Sequence, residues 1–255
     1  MLINLVISNI FHTFASENKF LKIKIMNKKE IKLHKLIIEG NEKEAIELLK
    51  SDETINVNFV YKKRTLIFSA VNEKMYTLFE TIINHPKFDC HSHIEDGFGE
   101  TIFQSLIWLY NADEYKEIEA YCERKKISDL IKMILKTNTY DFNYQDLNLD
   151  TALHVACGYL EDGWITEALI TKEYTNINAI NDMNETPLAV AIKRNNIEAI
   201  KLLSKRKDLI VRDVDVKEAE KNNIDLADYG INVKELKDTK VVNVSRRAKV
   251  LVESK

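Results

Sequence analysis

Glycine and proline are scarce, 6 and 2 in 255 residues. That excludes collagen-like, linker-rich and β-turn-dense chains. It suits helices, which these two residues interrupt. Cysteine is also scarce. Cys90, Cys122 and Cys157 are odd in number, far apart and without a C-x-x-C pair. Neither a disulfide framework nor a zinc-ribbon spacing is present, and a reducing, cytoplasmic location is expected. No charge dominates: 37 Lys and Arg against 40 Asp and Glu give a net charge of −3, too weak a positive field to hold a nucleic acid. No apolar run approaches the ~18 residues that span a bilayer, so stable membrane insertion is not expected. G-x-S-x-G, P-loop, G-x-G-x-x-G and H-E-x-x-H motifs are all missing, as are paired catalytic carboxylates. No catalytic residue and no cofactor is expected. What remains, 45% hydrophobic and 30% charged, is the composition of a globular protein.

Residues 1–25 differ from the rest. They open with Met1-Leu2-Ile3-Asn4-Leu5-Val6 and contain no Lys or Arg before Lys19, so the basic start of a secretory signal is missing. Two readings stand: an apolar extension that packs on the domain or touches a membrane surface, or a start at Met26, whose polar neighbours run into an amphipathic helix. The second is expected.

A frame then recurs along the chain. Its clearest copy is Thr186-Pro187-Leu188-Ala189-Val190-Ala191, then Asn195-Asn196, then Ala199-Ile200-Lys201-Leu202-Leu203. Earlier copies begin Thr151-Ala152-Leu153-His154-Val155-Ala156, Thr101-Ile102-Phe103-Gln104-Ser105-Leu106 and Thr65-Leu66-Ile67-Phe68-Ser69-Ala70. A first copy lacks the Thr but keeps Leu33-His34-Lys35-Leu36, Gly40-Asn41 and Ala45-Ile46-Glu47-Leu48-Leu49. The threonines are 36, 50 and 35 residues apart. Two of these intervals lie near a ~33-residue period, and the third adds roughly half a unit.

The pattern resembles the ankyrin repeat over about residues 29–229. The resemblance implies an all-α solenoid of about five helix-pair repeats plus a C-terminal capping unit, with β-hairpin-like fingers between repeats. Thr should cap each first helix, and Pro187 suits the first helical position. Ala70, Ala156 and Ala191 are small where helices approach closely. Gly40 and Asn195-Asn196 end first helices, where a left-handed residue is tolerated. Asn58, Asn143 and Asn178 match the family's Asn that turns the chain into the finger, and His154 its structural histidine. The repeat domain is expected over 26–236, with an insertion near 108–128 that lengthens the first helix or gives it a partner. A basic tail over 237–255 carries six basic residues against Asp238 and Glu253, a net of +4. Such a tail is expected to be a solvated end.

The resemblance also implies the function: a non-catalytic scaffold, monomeric, that holds a protein partner on the concave face. By register that face takes Tyr61, Arg64, Phe98, Glu100, Trp108, Leu147, Asp150, Tyr159, Asp182, Met183, Glu185 and Arg194. Aromatic anchors in a charged rim are the usual anatomy of an interface. A second reading turns Trp108 and Leu109 inward onto the insertion. The acidic members motivate an alternative, an inhibitor or immunity factor occluding an enzyme. A weaker one is a metal-dependent enzyme using Asp89, His91 and His93, alternate residues of an extended stretch. That stretch falls at a finger turn, and residue types alone are a weak signal without groups that orient the ligands, so no metal is expected.

Overall fold

The computed structural model describes residues 28–61, 64–91, 99–111, 118–137, 140–159 and 163–231. Residues 1–25, the basic tail, Phe98 and His93 lie outside them.

Amphipathic segments pair as antiparallel helices. The first pair is α1 (Lys28–Ile38) and α2 (Glu42–Ser51). After a finger with strands β1 (Val60–Tyr61) and β2 (Arg64–Thr65) come α3 (Leu66–Asn72) and α4 (Tyr76–Ile83), then α5 (Ile102–Asn111) and α6 (Ile118–Leu135). The fourth pair is α7 (Ala152–Tyr159) and α8 (Trp164–Ile170), the fifth α9 (Pro187–Lys193) and α10 (Ile197–Ser204). A single helix, α11 (Asp213–Lys221), and a 3-10 turn (Leu226–Tyr229) close the array. Within a pair the connection is three residues wherever it is wholly described. It reverses through a left-handed residue: Gly40, Lys74 and Asn195 at φ +80°, +57° and +54°. Gly163, at φ +67°, enters α8, and a Cβ there would meet Glu198 Cγ at 2.7 Å.

The pairs stack in order. First helices lie on first helices (α1 on α3, α5 on α7, α7 on α9, α9 on α11), and second helices on second helices (α2 on α4, α4 on α6, α8 on α10). One hydrophobic cluster therefore runs without a break from Leu33 to Ile231. Ala70, Ala156 and Ala191 are fully buried within it, as is Leu106, which takes the alanine's place in the third pair. The chain is an all-α repeat solenoid, in which each unit is completed by its neighbours. Among the described residues one finger forms a ladder, antiparallel with Val60 opposite Thr65 and Tyr61 opposite Arg64. The fingers before Thr151 and Thr186 are closed by tight turns at 146–150 and 181–185.

The insertion differs from expectation. The first helix α5 gains little, at 10 residues, but the second helix α6 has 18 where its counterparts have 7 to 10. Its cations lie over aromatic rings of three successive pairs: Lys126 over Tyr76, Arg124 over Tyr110 and Lys132 over Trp164. Trp164 also donates its Nε1–H to the Tyr110 hydroxyl at 3.0 Å. The long helix thus braces the middle of the stack, each cation over a ring adding about 0.5–1 kcal/mol where exposed.

Three of the four threonines cap their first helices, and Thr65 does not. Thr186 caps α9, its Oγ1 accepting from Ala189 N at 3.0 Å. Thr101 and Thr151 cap with longer bonds, accepting from Gln104 N and His154 N at 3.4 Å, and each hydroxyl also faces the side chain three residues on, Gln104 Oε1 or His154 Nδ1, at 2.9 Å. The same acceptor takes the threonine's own backbone N–H. The other end of that side chain donates to the carbonyl just before the next threonine: Gln104 Nε2–H to Asp150 O at 2.8 Å, and His154 Nε2–H to Glu185 O at 3.2 Å. Gln104 and His154 form equivalent cross-unit rungs. Thr65 is followed at that position by Phe68, which cannot bond, and its buried Oγ1 makes no hydrogen bond among the described residues. At the closing helix the rung reverses: buried Asp215 accepts from Thr186 Oγ1 and from Arg212 N.

Candidate interaction surface

Two kinds of local structure present side chains along the stack. The first is the finger tip. Asp146 Oδ1 accepts the backbone N–H groups of Asn148 and Asp150, both at 2.9 Å, while Asp146 N–H bonds Asp150 O. Asn181 repeats the turn one unit later, accepting from Met183 and Glu185 at 3.1 and 2.8 Å. A hydrogen bond from Asp182 N to Asn148 O, 2.8 Å, ties the two tips together. Turns of this kind satisfy their own backbone and leave their outer side chains in solvent. Leu147 is 74% exposed and Met183 66%. Leu149, not foreseen as a contact residue, is also exposed, at φ +59°; the matching residue of the next turn is Asn184, at φ +63°. Burial, with the nearby carboxylates of Asp150 and Glu100, pushes the Asp146 carboxyl up to about 6.

The second is the C-terminal end of the first helices. Trp108 of α5, Tyr159 of α7 and Arg194 just after α9 hold one row across three successive pairs. Trp108 and Tyr159 have ring centroids 3.9 Å apart at 49°. Arg194 donates from Nη2 to the Tyr159 hydroxyl at 3.2 Å, with its guanidinium 5.1 Å above the same ring. Beside this row lies a cavity of about 470 Å³, lined by Tyr159, Arg194, Asn195, Glu198 and Lys201 among others. Trp108 and Leu109 are 37% and 38% exposed, so neither is turned into the core.

The remaining expected contact residues divide. Tyr61 and Arg64 pair across the first finger's ladder, and Glu100 is half-buried near Asp146. Asp182 is exposed. Asp150 and Glu185 are engaged internally, Asp150 Oδ1 by Asn181 Nδ2 at 2.9 Å and Glu185 by Lys193 Nζ at 2.5 Å.

Below the tips, Asn58, Asn143 and Asn178 bridge units. Each donates Nδ2–H to a carbonyl of the next unit (Lys87, Tyr174 and Asp208, at 2.6 to 2.8 Å) and accepts a backbone N–H from it. Where the second unit needs this asparagine it has His91. Burial pushes the Cys90 thiol up, and the bonded carboxylate of Asp141 holds the His91 imidazole above its ordinary range.

Residues 119–213 match the model of ankyrin repeats, in three copies. The chain carries ankyrin repeats. The helix pairs at 28–51 and 66–83 lie before the matched span and share the same stacking. A comparison with curated proteins finds no match. Ankyrin repeats are in general protein–protein interaction modules and typically non-enzymatic scaffolds. Among the described residues no helix is long and apolar enough to cross a membrane.

Proposed function

We propose that this protein is a non-catalytic scaffold that holds a protein partner against the finger tips and the row of first-helix ends. The observation that carries this reading is the exposure of Leu147, Leu149 and Met183 on self-satisfied turns, beside Trp108, Tyr159 and Arg194 in one row. Large apolar side chains in solvent gain free energy when a partner covers them, and Trp, Tyr and Arg are the residues that carry most interface energy. Rigid turns also lower the ordering cost of binding. Asp150 and Glu185 already have internal partners, which favours the scaffold over an inhibitor that relies on an acidic face.

The test is partner capture by the purified full chain, with binding and melting temperature measured on the same variants. Leu147→Asp and Met183→Asp, at exposed tips, should change stability by no more than about 0.5 kcal/mol. Each should weaken capture at least tenfold, and Trp108→Ala by about 30-fold. Capture undiminished in all three folded variants would remove the proposed surface.

A further inference from the structure

The finger between α4 and α5 does not use the asparagine bridge of its neighbours. In three other fingers a single Asn accepts the next unit's backbone N–H at 2.7 to 2.8 Å. Here the N–H of Asp141 goes to Cys90 Sγ at 3.4 Å. His91 takes the asparagine's place, its backbone N–H bonded to Asp89 Oδ1 as Asn58 N–H is bonded to Asn56. The imidazole is held at both nitrogens: Nε2 by Asp141 Oδ2 and Nδ1 by Asp89 Oδ1, each at 3.1 Å, with Cys90 Sγ 3.9 Å from Nδ1.

An asparagine is sufficient for the fold at the other bridges, and the residue before it is a buried Val57, Phe142 or Ile177, so an imidazole and a thiol at these two positions call for a reason. We propose that Asp89, Cys90 and His91 form a zinc site, with Asp141 orienting the histidine from behind. One potential ligand atom from each of the three lies within 4.8 Å of the others. Ligands of a tetrahedral zinc ion, at about 2.0–2.3 Å from the metal, stand roughly 3.3–3.8 Å apart, so the separations of 3.1 and 3.9 Å need little adjustment. The mixed sulfur, nitrogen and oxygen set selects a borderline-soft ion over magnesium or calcium, which take oxygen. The surroundings match a built site. A ligating histidine characteristically donates its other N–H to a carboxylate, which Asp141 provides. The Asp141 backbone N–H supports the sulfur as it would a thiolate.

On binding, the Cys90 thiol releases its proton to solvent and His91 coordinates through Nδ1 as a neutral ring, keeping Nε2–H on Asp141. The thiolate and the Asp89 carboxylate balance the charge of the dication. With Asp141 of the next unit hydrogen-bonded to its ring, the coordinated histidine would clip the second finger to the start of the third. This clip goes beyond the scaffold reading and does not depend on it.

The experiment uses the full chain, stripped with a chelator and titrated with Co²⁺ and then Zn²⁺. One equivalent of Co²⁺ should produce a thiolate-to-cobalt charge-transfer band and the intense visible bands of tetrahedral coordination, both abolished by Zn²⁺. Zn²⁺ should also raise the melting temperature. Cys90→Ser should remove the charge-transfer band, while Cys122→Ser should keep it. Asp141→Asn should keep the band and weaken Zn²⁺ binding by about 10- to 100-fold. Circular dichroism identifies the folded variants. The proposal is overturned if folded wild type shows no charge-transfer band, if the band survives Cys90→Ser, or if Asp141→Asn binds Zn²⁺ as tightly as wild type.

Discussion

Leu149 occupies the left-handed region at φ +59° with its side chain in solvent, where its structural counterpart is Asn184. For an L-residue with a bulky side chain that conformation costs about 1 kcal/mol, while asparagine tolerates it. A leucine kept there contributes nothing to the core, which fits a residue used for contact. Leu149→Asn should raise stability by about 0.5–1 kcal/mol in chemical denaturation and lower partner capture. Unchanged or lower stability would mean that the leucine is not strained. This position was readable in principle: aligned turn against turn, Leu stands where Asn is expected. Counting from the threonines placed contact residues at the tips, and so included Leu147 and Met183, but it carried no information on φ. His91 escaped for a related reason. The finger before Thr101 is longer than the others, so counting back seven or eight residues from that threonine stops short of the bridge position, and only the hydrogen bonds restore the register.

Between elements, the cross-unit rungs separate what threonine does in each repeat. Thr151→Val removes the hydroxyl that bonds His154 and should cost about 1–2 kcal/mol. Thr65→Val removes a buried hydroxyl with no partner among the described residues and should be neutral or stabilising in the same thermal melts. Equal losses at the two sites would show that the rung contributes nothing. His154 offers a second check. Burial lowers its pKa below the ordinary 6.5, so the folded state binds fewer protons there than the unfolded chain. Its contribution is therefore complete above about pH 6.5 and is lost as pH falls below that value. His154→Gln places the residue of Gln104 on the same rung. It should hold stability near neutral pH within about 1 kcal/mol and flatten the decline between pH 6.5 and 5. A variant whose stability falls as steeply as that of wild type would assign the decline to other groups. The equivalence of Gln104 and His154 was not legible from residue type, since one is a family hallmark and the other reads as an ordinary polar residue. Their shared distance of three from a threonine was the available signal. The length of α6 was hidden differently. Its charged, weakly patterned start looked like inserted sequence, and two of the three rings that accept its cations, Tyr76 and Trp164, belong to other units.

At the scale of the molecule, the stacking order and the sites of reversal followed from the recurrence of apolar stripes and left-handed residues, because each unit buries its surface only against the next. Which exposed side chains meet a partner was less legible. Periodicity reports what is inside, whereas a row such as Trp108, Tyr159 and Arg194 is set by side-chain contacts between units. Fingers and first-helix ends carry those exposed groups, while the second helices and the residues that cap them present charged residues such as Lys50 and Lys205. The most direct test of the scaffold reading places a photoreactive amino acid at Leu147, Met183, Lys50 or Lys205 in the full chain and irradiates it with the native partner mixture. The expected result is one and the same protein crosslinked from Leu147 and Met183, and not from Lys50 or Lys205. Crosslinks of equal yield from all four positions, or from the lysines alone, would contradict it.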